Sequence, residues 1–197
     1  MSSPKKRKIE QSHVIYVLDR SGSMCQFGTE GYGSVQSAIE DLPKARGKSC
    51  LLSVFTFDNK HMEVVKGVLA EGYVLPEECM EPRGMTALRD AVSNALEYTG
   101  TLPKEHKKYL VVFTDGDDNS SKVSRESLSK MLKSSDVDIT WLAAGEAKMM
   151  AATELGVDEK DILKVGSSGR NMRDSMIFSS QKVMTGFTEY QRRQSVE

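Results

Sequence analysis

Short apolar runs alternate along this chain with longer segments of helical periodicity. The runs "HVIYVL" (13–18), "LLSVFTF" (51–57) and "KYLVVFT" (108–114) are rich in β-branched and aromatic residues and indicate buried strands. The last run is apolar throughout, which is typical of a central parallel strand that is covered on both faces. Three further strands are predicted at 62–70, 138–145 and 161–166.

The segments between these strands carry the spacing of amphipathic helices. Apolar residues recur at i, i+3, i+4 and i+7, so each segment presents one face to a core. In the third segment, Ser124 and Ser127 are candidate caps. The predicted helices cover 34–45, 86–100, 124–134, 147–156 and 172–193.

The order of the elements predicts the fold class. Only a short turn at Asp58 and Asn59 separates strands 51–57 and 62–70, which predicts a hairpin and an antiparallel edge. The remaining alternation of strands and helices predicts a doubly wound, Rossmann-like α/β fold. We therefore expect a mostly parallel sheet with one antiparallel edge strand and helices on both faces.

Length and composition favour one globular domain. The chain has 197 residues, of which 39% are hydrophobic and 28% charged, with a net charge of −1. This balance gives no sign of a nucleic-acid or membrane partner, and no apolar run is long enough to span a bilayer. No secretory signal pattern is visible. We expect a monomer with a disordered basic tail (1–11), a folded domain (12–193) and a short C-terminal tail (194–197).

The basic tail and the cysteines bear on location. Residues 4–8 read "PKKRK", and two interpretations stay open: a nuclear localisation signal, or a solubilising tail or cloning remnant. In the first, an import receptor would bind Lys5, Lys6, Arg7 and Lys8. The three cysteines (25, 50 and 79) lack C-x-x-C spacing, which favours reduced thiols and argues against a zinc site. We expect an intracellular protein, in the nucleus or otherwise in the cytoplasm.

Polar residues with oxygen donors follow the predicted strands. Asp19, Ser21 and Ser23 follow the first strand, Thr86 opens a predicted helix, and Asp115 follows the central strand. Ligands of doubly wound folds bind outside the carboxyl ends of the strands, where these residues would meet. An oxygen-only set of limited charge suits Mg²⁺, with Mn²⁺ or Ca²⁺ as alternatives. Taken alone, the first three residues could equally be a capped turn.

The segments "DRSGSM" (19–24), "GMTALRDA" (84–91) and "TDG" (114–116) resemble the metal-ion-dependent adhesion site (MIDAS) of von Willebrand factor type A domains. That pattern is D-x-S-x-S, a distant Thr and a distant Asp, and all five positions match. The resemblance extends from about His13 to the closing helix. It is closest to intracellular, stand-alone members of bacterial and viral type, on the segments "PRGMTALRDA" (82–91), "TDGDDNSS" (114–121) and "WLAAGEAKMMAATELGV" (141–157).

The resemblance implies a role for each residue. Ser21 and Ser23 would bind the metal directly, and Thr86 directly or through water. Asp19 and Asp115 would act mainly through water and orient the serine hydroxyls. An Asp or Glu of a partner protein would fill an open coordination position. The resemblance therefore implies a non-enzymatic, divalent-metal-dependent protein-binding module.

Two other functions remain as alternatives. A magnesium-dependent phosphatase of doubly wound fold would use Asp19 as nucleophile, but it needs a second carboxylate two residues later, where Ser21 stands. The second alternative is a scaffold protein whose metal site is unused. Asp117 and Asp118 have two interpretations: they bind water around the metal, or, as we favour, they face solvent or cap the next loop. We expect Cys25 to be a small buried residue and "GTEGYG" (28–33) to form a loop.

Overall fold

The structure is a computed structural model, and it describes residues 11–44, 50–115, 117–165 and 169–185. The strands are β1 (Ser12–Asp19), β2 (Cys50–Phe57), β3 (His61–Leu69), β4 (Lys107–Thr114), β5 (Asp138–Ala144) and β6 (Ile162–Val165). The α-helices are α1 (Gly28–Asp41), α2 (Leu88–Thr101), α3 (Arg125–Ser134), α4 (Glu146–Glu154) and α5 (Gly169–Thr185).

The six strands form one sheet in the order β3-β2-β1-β4-β5-β6. All neighbouring pairs are parallel except β2 and β3, so the predicted fold class and its antiparallel edge strand are confirmed. Strand β1 lies between β2 and β4, with Asp19 opposite Phe57 and Leu18 opposite Phe113. The carboxyl ends of these three strands therefore meet at the point where the strand order reverses, which is where such folds bind ligands.

Strand β1 is buried along almost its whole length because helices cover both faces of the sheet. Val14, Tyr16 and Leu18 point into one core cluster, which also contains residues of α1 and α5. Ile15 and Val17 point into a second cluster with residues of α2, α3 and α4. This alternation follows from the two-residue period of a strand. Trp141 lies in the second cluster and is almost fully buried.

The first helix differs most from its prediction. It begins at Gly28, so that "GTEGYG" is helical and not a loop. A 3-10 helix over Gly22–Phe27 precedes it and turns Met24 and Phe27, three residues apart, into the core. Cys25 lies between them on the outer side and is exposed, so its predicted burial is wrong.

Other boundaries shift by a few residues. Helix α2 begins at Leu88 after an N-cap at Ala87, so Thr86 precedes the helix and does not open it. Ser124 is confirmed as the N-cap of α3, where its hydroxyl accepts a hydrogen bond from the Ser127 backbone N–H at 3.1 Å. The predicted closing helix corresponds to α5 up to Thr185. Its last residues, the basic tail before residue 11 and the segment 194–197 lie outside the described residues.

In the part of the chain that the structure describes, each helix is too short or too polar to cross a membrane.

Candidate metal site

Asp19 ends β1 with its carboxylate completely buried. One oxygen, Oδ1, accepts a hydrogen bond from the Ser21 backbone N–H at 2.7 Å. The other, Oδ2, accepts one from the Thr114 hydroxyl at 2.6 Å, at the end of β4. The first bond closes an Asx-type turn, so Asp19 shapes the backbone that carries the two serines and also ties it to β4.

The two serine hydroxyls of the turn meet each other and Asp115. Ser21 Oγ lies 3.1 Å from Ser23 Oγ, and the Ser23 hydroxyl donates to Asp115 Oδ1 at 2.8 Å. The side-chain amide of Gln26 donates to the other oxygen of Asp115. Four of the five predicted site residues thus form one connected cluster. The sequence did not single out Gln26, because a glutamine three residues beyond the D-x-S-x-S motif carries no signal of its own.

Thr86, the fifth predicted residue, is buried in a loop that lies against this cluster. The Gly22 backbone N–H donates to the Gly84 carbonyl at 3.2 Å, which joins the Thr86 loop to the serine turn. On the other side, the Thr86 N–H donates to the Asn119 side-chain oxygen at 2.9 Å, and the Thr86 carbonyl accepts from the Asn119 N–H at 3.0 Å. The loop therefore lies between the turn after β1 and the segment after β4.

Burial and like charge act together on Asp19. The pKa of its carboxyl is raised to about 6: burial is the main cause and the charge of Asp115 adds to it, while the hydrogen bonds from Thr114 and Ser21 oppose the rise. Two carboxylates in a buried setting favour a cation between or beside them, because each destabilises the charged form of the other.

The donor atoms of the site fit a hard divalent cation. They are three hydroxyl oxygens and two carboxylates, with no nitrogen or sulfur among the five. Within the described residues, no group of three or more His, Cys, Asp or Glu side chains could hold a metal ion. Any ion at this edge of the sheet would therefore depend on the Ser and Thr hydroxyls.

A second carboxylate, Asp58, lies at the same edge and has two arginine partners. Its Oδ2 accepts a hydrogen bond from Arg83 Nε at 3.0 Å and forms an ion pair with Arg20 Nη2, also at 3.0 Å. Burial alone would raise the pKa of Asp58, but the hydrogen bonds from Arg83 and the Lys60 backbone N–H and the charge of Arg20 lower it below its usual range. We call Arg20, Asp58 and Arg83 the Asp58 cluster.

The Asp58 cluster connects three backbone segments around the site. The Arg20 N–H donates to the Phe57 carbonyl at 2.8 Å, the Arg83 N–H to the Arg20 carbonyl at 2.8 Å, and the Ala87 N–H to the Asp58 carbonyl at 2.7 Å. Sequence reasoning treated Asp58 only as a turn residue. A buried arginine between two site residues, with its partner 38 positions later, leaves no pattern that could have found it.

The two acidic residues after Asp115 have structural roles, as expected. Asp118 Oδ2 accepts from the Arg89 backbone N–H at 2.7 Å and from the Ser121 hydroxyl at 2.6 Å, so it caps the start of α2 and its own loop. Asp117 is exposed and pairs with Lys148 at 2.5 Å. In these contacts, neither carboxylate bonds to Ser23 or Asp115.

The architecture is shared with solved structures. Proximal thread matrix protein 1 from the mussel byssus is 20% identical, with a TM-score of 0.69 over 88% of this chain, and this chain spans 46% of that protein. The SpRpn10 VWA domain is 13% identical, with a TM-score of 0.62 over 83% of this chain and 92% of that domain. The fold is that of a von Willebrand factor type A domain.

Two further solved structures share this fold. A von Willebrand factor type A protein from Catenulispora acidiphila is 17% identical, with a TM-score of 0.64 over 89% of this chain and 43% of that one. The mussel protein has also been solved with a zinc-occupied MIDAS motif, at 20% identity, with a TM-score of 0.66 over 87% of this chain and 46% of that protein. No protein-family model matches the chain, and no curated protein matches its sequence. These identities show the fold alone.

Proposed function

We propose that this chain is a divalent-metal-dependent protein-binding module whose metal site accepts a carboxylate from a partner protein. One hydrogen-bonded cluster at the carboxyl ends of β1 and β4 carries the proposal. In it, the Ser21 and Ser23 hydroxyls contact each other, Ser23 donates to Asp115, and Asp19 accepts from the Ser21 backbone N–H. Such a set is too polar and too charged to be explained by packing alone.

Each residue has a distinct part in the proposal. Ser21, Ser23 and Thr86 hold the ion through their hydroxyl oxygens, while Asp19 and Asp115 hold its water ligands and orient the serines. When it is bound, a Mg²⁺ ion supplies a concentrated positive charge that attracts a carboxylate from outside. The partner contributes that carboxylate through an Asp or Glu. Mn²⁺ or Ca²⁺ could take the same place.

Two features of Asp19 speak against the alternative of a phosphatase. Its carboxylate is completely buried, and hydrogen bonds from Ser21 and Thr114 engage both oxygens, whereas an aspartyl nucleophile must reach its substrate. The residue two positions later, where such an enzyme needs an acid, is the hydroxyl-bearing Ser21. A non-enzymatic role is therefore part of the proposal.

The metal site is tested by thermal unfolding with Mg²⁺ and with EDTA. An ion that binds only the folded protein stabilises it by about 2.7 kcal/mol at a concentration of about 100 times its Kd, so we expect a higher Tm in Mg²⁺. Ser21→Ala should remove this shift. Ser93→Ala is the matched control, because Ser93 is also buried but belongs to α2. An unchanged Tm at saturating Mg²⁺, Mn²⁺ and Ca²⁺ would contradict the metal site.

Partner binding is tested by affinity capture in Mg²⁺ and again in EDTA. We expect a bound protein that is released by EDTA, lost with Ser21→Ala and retained with Ser93→Ala. A partner that stays bound under EDTA and with Ser21→Ala would move the interface to another surface. An intracellular location, and nuclear import through the basic tail, stay predictions; a reporter fused to residues 1–10 that remains cytoplasmic would contradict the second.

A further inference from the structure

Arg83 is the surplus cation of the Asp58 cluster. Two guanidinium groups share the single carboxylate of Asp58: Arg83 Nε donates to Oδ2 at 3.0 Å, and Arg20 Nη2 forms an ion pair with the same oxygen at 3.0 Å. Arg20 is almost fully buried, with 2% of its side chain exposed, and one buried cation is enough to balance Asp58. The second cation therefore leaves a net positive charge at this corner of the molecule.

Two ion pairs near the site are balanced one to one. Arg89 lies 3.6 Å from Asp118, and Lys148 lies 2.5 Å from Asp117, so each pair is neutral. The two carboxylates of the candidate metal site, Asp19 and Asp115, would likewise balance the two positive charges of a divalent ion. The Asp58 cluster differs from all of these because its cations outnumber its carboxylate, which favours an additional anion nearby.

Arg83 is exposed and lies beside the candidate metal site. Its side chain is 58% exposed, and its backbone N–H donates to the carbonyl of Arg20, inside the D-x-S-x-S turn. The next residue, Gly84, accepts from Gly22 of the same turn. Arg83 also precedes Thr86 by three residues, so their Cα atoms lie within about 10 Å even if the chain between them is fully extended.

The chemistry of Arg83 defines what it would bind. Its Nε is used by Asp58, while the terminal nitrogens lie farther out on an exposed side chain, with Nη2 3.7 Å from Met62 Sδ. A guanidinium group prefers planar oxyanions such as carboxylates. Met85, which is 51% exposed, lies between Arg83 and Thr86 in the chain, and Arg and Met are both enriched in protein interfaces.

We propose that Arg83 is a second carboxylate-binding point, so that the partner segment carries two acidic residues close together, one for the metal and one for Arg83. In an extended segment, residues i and i+2 point the same way and lie about 6.5 Å apart, so one short segment can present both carboxylates on one face. The inference rests on the proposed function, because the first carboxylate is the one bound at the metal site.

The experiment compares two peptides that differ by one carboxylate. Ac-Gly-Asp-Gly-Ser-Gly-NH₂ has one acidic side chain and Ac-Gly-Asp-Gly-Asp-Gly-NH₂ has two, and each is titrated into the ¹⁵N-labelled full chain at saturating Mg²⁺ and low salt. Two equivalent acids bind about twofold tighter on statistical grounds alone. A contact between the second carboxylate and an exposed cation tightens binding beyond this twofold. We therefore expect the Kd of the one-carboxylate peptide to be about five- to tenfold higher than that of the two-carboxylate peptide.

Variants assign that ratio to Arg83. Arg83→Gln should reduce it to about twofold, and Arg83→Lys should retain part of it because the charge remains. Arg125→Gln is the matched control, since Arg125 is 63% exposed and pairs with Glu154 at the same 3.0 Å; it should keep the full ratio. A variant that is damaged in general also binds the one-carboxylate peptide more weakly. The ratio of the two Kd values is therefore the quantity to compare between variants.

The outcomes separate the inference from the proposed function. If the one-carboxylate peptide binds in a Mg²⁺-dependent manner but the ratio is about two in the unmodified chain, the role of Arg83 is overturned and the proposed function stands. The same holds if Arg83→Gln keeps the full ratio. If neither peptide binds in a Mg²⁺-dependent manner, the carboxylate-binding function fails and the inference fails with it.

Discussion

The two ends of the central sheet both bury polar side chains, but the amino end holds a neutral network beside one buried cation, Lys108, which pairs with Asp136, whereas buried carboxylates mark the carboxyl end. At the amino end, His13 Nε2 and Ser53 Oγ share a hydrogen bond of 2.8 Å, and Ser53 Oγ and the Tyr98 hydroxyl share one of 3.0 Å. Burial, and secondly the charge of His106, lower the pKa of His13 to about 4, so this network is neutral at pH 7. Its members bind one another.

At the carboxyl end, carboxylates take the place of neutral groups. Asp58 has counterions within the chain, namely Arg20 and Arg83. Asp19 and Asp115 instead accept hydrogen bonds from neutral hydroxyl and amide groups, and the proposed counterion comes from solution. The difference teaches that buried polarity by itself does not identify a site. A neutral network can stabilise the fold without any further charge, whereas one that needs a counterion can bind a ligand.

The largest expected effect comes from removing the charge of Asp58. Asp58→Asn leaves the buried guanidinium of Arg20 without a counterion, which typically costs about 3 to 5 kcal/mol in the free energy of unfolding. Urea unfolding at pH 7 measures the loss. Glu154→Gln is the matched control, because it breaks an exposed pair with Arg125 at the same distance of 3.0 Å and should cost less than about 1 kcal/mol.

If Asp58→Asn and Glu154→Gln lower the free energy of unfolding by the same small amount, the ion pairs of Asp58 are not buried. The contrast between the two ends of the sheet would then disappear. If Asp58→Asn is as costly as expected, the Mg²⁺-dependent shift in Tm should also shrink in that variant. The reason is that the Asp58 carbonyl and side chain fix the loop that carries Thr86.

The neutral end of the sheet should respond to acid. The folded pKa of His13 is lowered to about 4 from 6.5, so the unfolded chain takes up a proton more readily than the folded protein. Its contribution is therefore fully present above about pH 6.5 and is lost as the pH falls toward 4. Linkage gives about 2 kcal/mol of lost stability between pH 7 and pH 5 from this group alone. Urea unfolding across that range measures it.

A His13→Asn variant separates this effect from other titrating groups. It should remove the acid-induced loss that His13 causes, so that the variant loses less stability than the unmodified chain between pH 7 and pH 5, whereas His106→Gln, which removes only the neighbouring charge, should keep most of that loss. An equal slope in His13→Asn and the unmodified chain would mean that His13 is solvated in the folded protein, and the amino end of the sheet would no longer be a closed neutral network.

The sequence predicted the elements that depend on local pattern and missed the groups that depend on distant partners. Strand periodicity and the short turn at 58–59 were enough for the sheet and its antiparallel edge. The positions of Asp19, Ser21, Ser23 and Asp115 at the ends of two predicted strands were together enough to predict that these residues cluster. The buried charge of Arg20 was missed, because the pattern around it resembles that of a solvent-exposed loop.

The burial of Cys25 was predicted wrongly for a related reason. A small thiol in an apolar neighbourhood is usually buried. Here the three-residue period of the 3-10 helix turns Met24 and Phe27 inward and therefore leaves Cys25 outside. The periodicity of a strand or an α-helix can be recognised in a sequence, whereas a single 3-10 turn is too short to leave a pattern.

The smallest expected effect tests how closely the loop of Thr86 must approach the charged end of the sheet. Gly84 has φ +69°, and a Cβ there would lie 3.0 Å from Asn59 Oδ1 and 3.4 Å from Asp58 Cβ. Gly72 has a similar φ of +74° but no atom within 4 Å of the same position. Both Gly→Ala substitutions should therefore cost about 1 kcal/mol of backbone strain, and Gly84→Ala slightly more.

The readout that separates the two glycines is Mg²⁺ binding. Gly84→Ala pushes the loop away from Asp58 and from the serine turn, so we expect weaker Mg²⁺ binding by up to about tenfold, as for other losses of support around metal ligands. Gly72→Ala should leave the Kd for Mg²⁺ unchanged, because it strains the backbone without touching the site. Equal Kd values in the two variants would mean that the position of Thr86 does not matter for the ion, and the site would then consist of the turn after β1 and Asp115 alone.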